Sequence, residues 1–237
     1  MKKQLMFFLF LFYALQTYAQ PSLWTLEAED SGARVTWDGN TADIVSPRGT
    51  TLWFNQKMEG NVTIEYEAKV VVDDSQTEWN RLSDLNCFWM ASEPTASSVF
   101  KNLKKRGGTF LNSYQLQLYY MGFGGNHNTT TRFRRYNGDK RGVTDETFRP
   151  DIINEYTDPD HLLKPNHWYD IRLEAIDGRV RYFIDGELLV DWLDPQPLTS
   201  GWFGFRTTLS HTQLRNFKYT QTNPSPETIQ LNWIGGD

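Results

Sequence analysis

One cysteine, four histidines and a shortage of positive charge already exclude several classes of protein. Cys87 has no partner for an internal disulfide, and its place in the apolar run LNCFWMA makes it a small core residue. The histidines lie far apart or beside prolines and aspartates, and no His-Glu or His-His spacing matches a transition-metal site. The apolar run near the start, Leu5 to Leu15, is shorter than the roughly 20 residues a membrane span needs, so no membrane insertion is expected. The formal net charge is −5. An acidic chain is a poor nucleic-acid binder, which calls for a basic domain or face. Phosphate loops, nucleophile elbows, helical periodicity and internal repeats are missing too. A Glu-x-Asp-x-Glu strand is also absent, which disfavours a glycoside hydrolase needing two carboxyls across the bond.

What is present begins with MKKQLMFFLFLFYALQTYAQ. Lys2 and Lys3, the apolar stretch after them and Thr17-Tyr18-Ala19 form the three parts of a secretory signal, with cleavage expected near Ala19. The expected division is a leader at 1–19, one domain at 20–222 and a tail at 223–237, in a protein exported to the periplasm or beyond. Loss of Lys2 and Lys3 leaves 22 basic against 29 acidic side chains, a net charge of −7. Nine Trp, eleven Tyr and fifteen Phe suit both β-strands and sugar-stacking surfaces.

Short alternating runs bounded by Gly, Pro, Asn and Asp recur along the chain and read as thirteen strands. They imply an all-β sandwich of two antiparallel sheets. The clearest segment is HWYDIRLEAIDGRVRYFIDGELLVDWLDP, where Asp177-Gly178 and Asp185-Gly186 supply two-residue hairpin turns. Leu116, Leu118, Phe133, Phe203, Phe205 and Cys87 are the expected core. Long polar segments at 73–83 and 92–113, on either side of the strand expected at 85–91, and another at 137–166 read as loops.

This meander, with PLTSGWFGFRT and LRNF after it, resembles the C-terminal half of concanavalin A-like jelly rolls. With SDLNCFWMA and GGNHNTTTRFRRY, the chain is similar to a family of uncharacterised exported bacterial proteins. Members of that family tend to be encoded beside genes for pectin and rhamnogalacturonan breakdown. The resemblance implies a jelly-roll fold and a plant polysaccharide as ligand.

GGNHNTTTRFRRY, Gly124 to Tyr136, concentrates donors and positive charge. Alternation sends Arg132, Arg134 and Tyr136 to one face and Phe133 and Arg135 to the other. On the preceding strand Gln115, Gln117, Tyr119 and Met121 share a face, and Leu116, Leu118 and Tyr120 form the expected core side. Arginine forks match carboxylates in two-point geometry, so the face suits an acidic sugar. The alternative is that these arginines pair with surface carboxylates across strands. Asn86, Asp84, Trp202 and Arg206 extend the same face from neighbouring strands, and Asp84 has a plainer role open to it, pairing with Arg81.

Uronate β-elimination needs a base, a group that quenches the carboxylate charge and an acid for the leaving oxygen. Jelly-roll lyases use His or Tyr with Arg, Gln or Asn. Here His127, Tyr119 and Tyr136 are the candidate proton carriers, with Arg132, Arg134, Gln117 and Asn126 around the substrate. His127 as a plain turn residue is the competing reading. His211 reads as a structural hydrogen bonder. No cofactor is expected, although the loop aspartates leave room for a structural calcium ion. The expected partner is an acidic oligo- or polysaccharide, met by a monomer. Elimination by a lyase is the first functional reading, non-catalytic carbohydrate binding the alternative to it and adhesion a third.

Overall fold

The computed structural model of the protein describes residues 21–75, 79–145 and 147–222. The leader expected at 1–19 and the tail expected at 223–237 lie outside the described residues. Among those described, the strands are β1 (Trp24–Ala28), β2 (Arg34–Asp38), β3 (Thr41–Ser46), β4 (Thr50–Phe54) and β5 (Met58–Glu59). They continue with β6 (Asn61–Val71), β7 (Asn86–Ser92), β8 (Gln117–Gly124), β9 (Thr130–Asn137) and β10 (Ile152–Tyr156). The last five are β11 (Tyr169–Ile176), β12 (Arg179–Ile184), β13 (Glu187–Leu193), β14 (Ser200–Thr207) and β15 (Ser210–Thr222). All thirteen expected strands are found, and β5 and β10 are additions. Short helical turns occupy Val99–Asn102, Leu103–Arg106 and Leu111–Gln115; the first two lie in what the sequence reads as loop, and the third takes the first two residues of the strand expected at 114–121.

The first sheet runs β1-β4-β14-β7-β8-β9-β10, with β5 beside β14; the second runs β13-β12-β11-β6-β15-β3-β2. Every pairing is antiparallel, giving the expected all-β jelly-roll sandwich. The two Asp-Gly turns close the β11–β12–β13 meander, with Gly178 at φ +78° and Gly186 at φ +83°.

Between the sheets Cys87, Phe133, Phe203 and Phe205 pack against Tyr66, Ile171 and Tyr182 of the opposite sheet, as the alternation requires. Burial pushes the Cys87 thiol up to about 12. Strand β8 departs from expectation. Its Tyr119 and Met121 point into this core, and Leu118 and Tyr120 point outward. The cause is a second apolar cluster on the outer face of the first sheet. There Trp53, Phe88, Leu118, Tyr136 and Trp202 are roofed by Val99, Phe100, Leu103, Phe110 and Tyr114. Both faces of β8 are apolar, so counting leucines chose the wrong side.

A buried charge network pins that roof. Arg106 reaches Glu27 of β1 (2.7 Å) and Glu93 (3.4 Å) and donates to the carbonyl of Val99. Glu27 also accepts from the Trp53 indole (2.7 Å) and from the amide of Gly108 (3.1 Å). With its carboxylates and guanidinium hydrogen-bonded to one another, the network meets the condition under which buried charge is tolerated.

Candidate functional site

Beyond the roofed cluster the outer face of the first sheet stays open as a groove of about 360 Å³. Cross-strand register builds its floor. One row runs Thr51, Arg206 and Asn86 across β4, β14 and β7. Gly122 follows Met121, the partner of Cys87, so the row continues through Gly122, Arg132 and Glu155 on β8, β9 and β10. The adjacent row carries Phe88, Tyr120 and Arg134. Side chains that share a face and a row are neighbours, so six strands contribute polar groups to one surface.

Gly122 is needed here because a Cβ would stand 2.4 Å from the Tyr120 hydroxyl. Without one, the phenol lies flat across the strand and its hydroxyl reaches the groove. At the rim, Gly124 (φ +64°) opens a left-handed turn through Asn126, His127 and Asn128, with φ of 52°, 61° and 57°. Asparagine tolerates that region better than most residues. Asn128 exchanges two hydrogen bonds with the Leu163 backbone, 2.8 and 2.9 Å, and Thr131 donates to the His161 carbonyl, 2.6 Å. The turn is thereby fixed, with Gly125 and Asn126 on the groove.

The charges are unequal. Arg132, Arg134, Arg149 and Arg206 face the groove with only Glu29 and Asp84. Asp84 is engaged by Arg81, as the sequence allows, and by Ser83 (2.7 Å) and Asn86 (3.1 Å). Glu29 lies 3.5 Å from Arg48 and accepts from the Gly49 amide. Arg132 pairs with Glu155 across strands. Arg134 donates to the Pro150 carbonyl, and no carboxylate among the described residues forms an ion pair with it. Arg206 is buried, donates to Thr51 Oγ1 and the Gly108 carbonyl (3.0 Å each), and lies 5.1 Å from the Phe110 ring centre. It too has no ion-paired carboxylate among the described residues. Burial pulls its pKa below the usual value, against the fields of Glu27 and Asp84, but arginine remains cationic in proteins. Beside it, the buried Oδ1 of Asn86 has no protein donor.

Tyr120 and Tyr114 line the groove as hydroxyl donors. Burial raises both pKa values, with Asp84 adding to the rise at Tyr120 and Arg149, Arg134 and Arg206 opposing it at Tyr114.

Five of the ten expected site residues therefore meet: Asn86, Asn126, Arg132, Arg134 and Arg206. Tyr119 does not join them. Its hydroxyl sits between the sheets, donating to Asp194 (2.7 Å) and accepting from the Leu198 amide (3.0 Å). Tyr136 and Trp202 are on the right face but under the roof, Tyr136 against Tyr114 and Trp202 against Phe100. Gln117 is opposite Asn137 at the far end of β8, off the groove. His127 is exposed on the turn and does not line the groove. Tyr120, Tyr114, Phe110 and Arg149 were missed. Tyr120 looks like core beside Leu118, Tyr114 opens the strand expected at 114–121 but is a helical-turn residue instead, and Phe110 and Arg149 sit in segments with no periodic signal. His211 holds Asp43 (2.8 Å), the structural role expected of it. Among the described residues no group of three or more His, Cys, Asp or Glu side chains is placed to hold a metal ion.

The family model described as a domain of unknown function, DUF6250, matches residues 44–217. A search of curated proteins finds no match. Among solved structures the chain is similar to a Bacillus subtilis protein of unknown function with a galectin-like fold (16% identity, 89% of this chain and 96% of that one, TM-score 0.66). It is also similar to the Bacillus subtilis carbohydrate-binding module CBM66 (14% identity, 84% and 96%, TM-score 0.55). A third likeness is to the lumenal domain of VIP36 in its Ca²⁺/Man3GlcNAc-bound form (12% identity, 93% of each chain, TM-score 0.58). At these identities the likeness establishes the galectin- and concanavalin-like jelly roll.

Proposed function

The chain belongs to the DUF6250 family, and we propose that it binds an acidic saccharide, with a uronate carboxylate held in the groove by Arg206 and Arg134. The observation that carries this reading is Arg206, a buried guanidinium on the groove floor without an ion-paired carboxylate among the described residues. Such a charge is costly until an anion meets it, and a carboxylate does so in the two-point geometry of the guanidinium fork. Sugar hydroxyls find partners in Asn86, Asn126 and the Tyr120 hydroxyl, and Phe110 offers a ring face. Carbohydrate ligands of similarly folded proteins, among them CBM66 and VIP36, support the saccharide half of the proposal. The resemblance to proteins encoded beside pectin-degrading genes makes pectic uronates the first ligands to try, met outside the cytoplasm if the leader acts as expected.

Binding is favoured over elimination. The hydroxyls that line the groove are held protonated by burial, and His127, the candidate base, stands outside it. The test is calorimetric titration with polygalacturonate and with a neutral galactan, the same mixtures being followed for ultraviolet-absorbing unsaturated products. Polygalacturonate should bind and galactan should not, and Arg206→Gln should weaken binding by about 1.5–3 kcal/mol, the worth of a hydrogen bond to a charged group. Equal binding of both polymers, untouched by Arg206→Gln, overturns the proposal, and unsaturated product restores elimination.

A further inference from the structure

We propose that the cavity next to the groove is a second subsite, built for a neutral sugar unit joined to the acidic unit in the groove. This rests on the acidic-saccharide reading of the groove. The cavity, of about 510 Å³, lies on the other side of the strap Phe148–Pro150, and Tyr114 and Arg149 line both spaces. They form a shared wall: Arg149 lies over the Tyr114 ring at 5.9 Å and donates to the Phe148 carbonyl (2.7 Å). A chain one unit longer than the groove holds passes over that wall into the cavity.

The two spaces differ in charge. The groove sets four arginines against two carboxylates. The cavity sets Arg135, Arg141 and Arg149 against Asp139, Asp151 and Asp194, three against three. Most of that charge is already matched inside the protein. Arg135 holds Asp194 (2.8 Å) and the Gln196 carbonyl (2.7 Å), and Arg141 grips Asp139 through Nε (2.9 Å) and Nη2. A second carboxylate entering here meets aspartates on the cavity wall and no surplus cation. Apolar ring surface from Trp192 and Phe148, with the exposed amides of Asn137 and Gln196, suits a hexose with its hydrophobic face and its hydroxyls.

The test is calorimetry on the folded protein with three ligands: galacturonic acid, galacturonic acid linked to a neutral hexose in either order, and digalacturonic acid. One linkage order of the mixed disaccharide should bind about tenfold tighter than the monosaccharide, and digalacturonic acid should show no such gain. Asp151→Lys changes an exposed side chain, gives the cavity surplus positive charge and should confer that gain on digalacturonic acid. Asn137→Trp fills the cavity and should erase the gain of the mixed disaccharide without altering monosaccharide affinity. The inference falls if the mixed disaccharide gains nothing in either order, if digalacturonic acid gains equally in the parent, or if both variants leave the ranking unchanged. Failure of galacturonic acid itself to bind is a separate result. It overturns the groove reading and this inference with it.

Discussion

At the scale of single residues, the groove depends on what a side chain leaves out as much as on what it supplies. Gly122 carries no side chain, and the Tyr120 phenol fills the space that one would occupy. Gly122→Ala should cost about 1–3 kcal/mol, as overpacking usually does, and weaken uronate binding because the hydroxyl is driven off the groove. Denaturant unfolding and titration of the same variant read both effects. Adding Tyr120→Phe should recover part of the stability and none of the binding. A Gly122→Ala protein that unfolds and binds like its parent refutes this account of the phenol. The arginines were legible in the sequence because alternation along RFRRY fixes them relative to Phe133, an unambiguous core residue. Tyr120 was not legible, since nothing in a single strand says which of two apolar faces will be roofed.

At the scale of elements, the same reasoning separates what alternation can read from what it cannot. On β14 the expected inward Phe203 and Phe205 and outward Trp202 and Arg206 are all found. Strand β7 likewise turns Cys87 inward and Asn86 to the groove. The roof at Val99–Gln115 left no such trace, because its helical turns are too short for a period and its anchor, Arg106, reads as one more surface cation in KNLKKR. That anchor is testable. Arg106→Met leaves Glu27 and Glu93 buried without their counterion and should cost about 3–5 kcal/mol. Binding should fall as well, since the roof brings Phe110 and Tyr114 to the groove. Equilibrium unfolding that shows a loss below about 1 kcal/mol, the level of an exposed pair, removes the network from its structural role.

For the whole molecule, the turn at the groove rim is tied to the second sheet, and pH acts on that tie. His161 stands between Asp158 (2.6 Å) and Glu187 of β13 (3.2 Å). Burial lowers its pKa, but the bonds to the two carboxylates outweigh that and raise it above the ordinary 6.5. The folded state therefore holds the proton more tightly than the unfolded chain. The resulting stability is fully present below pH 6.5 and is lost as pH rises through the raised folded value. Melting temperatures of the parent and of His161→Asn should differ in mild acid and converge in mild alkali. A gap that is constant or widens with rising pH contradicts the assignment.

The order of strands in the first sheet carries one more implication, for synthesis. Strand β14, close to the end of the described chain, lies between β4 and β7, and it alone brings Arg206. A chain still emerging from the ribosome can form β4 and β7 but cannot join them, so each presents an open edge until some 200 residues have been made. Such late, long-range closure is slow and exposes strand edges meanwhile. The floor of the groove is thus among the last features to appear, and a truncated product would be prone to aggregate and would lack Arg206.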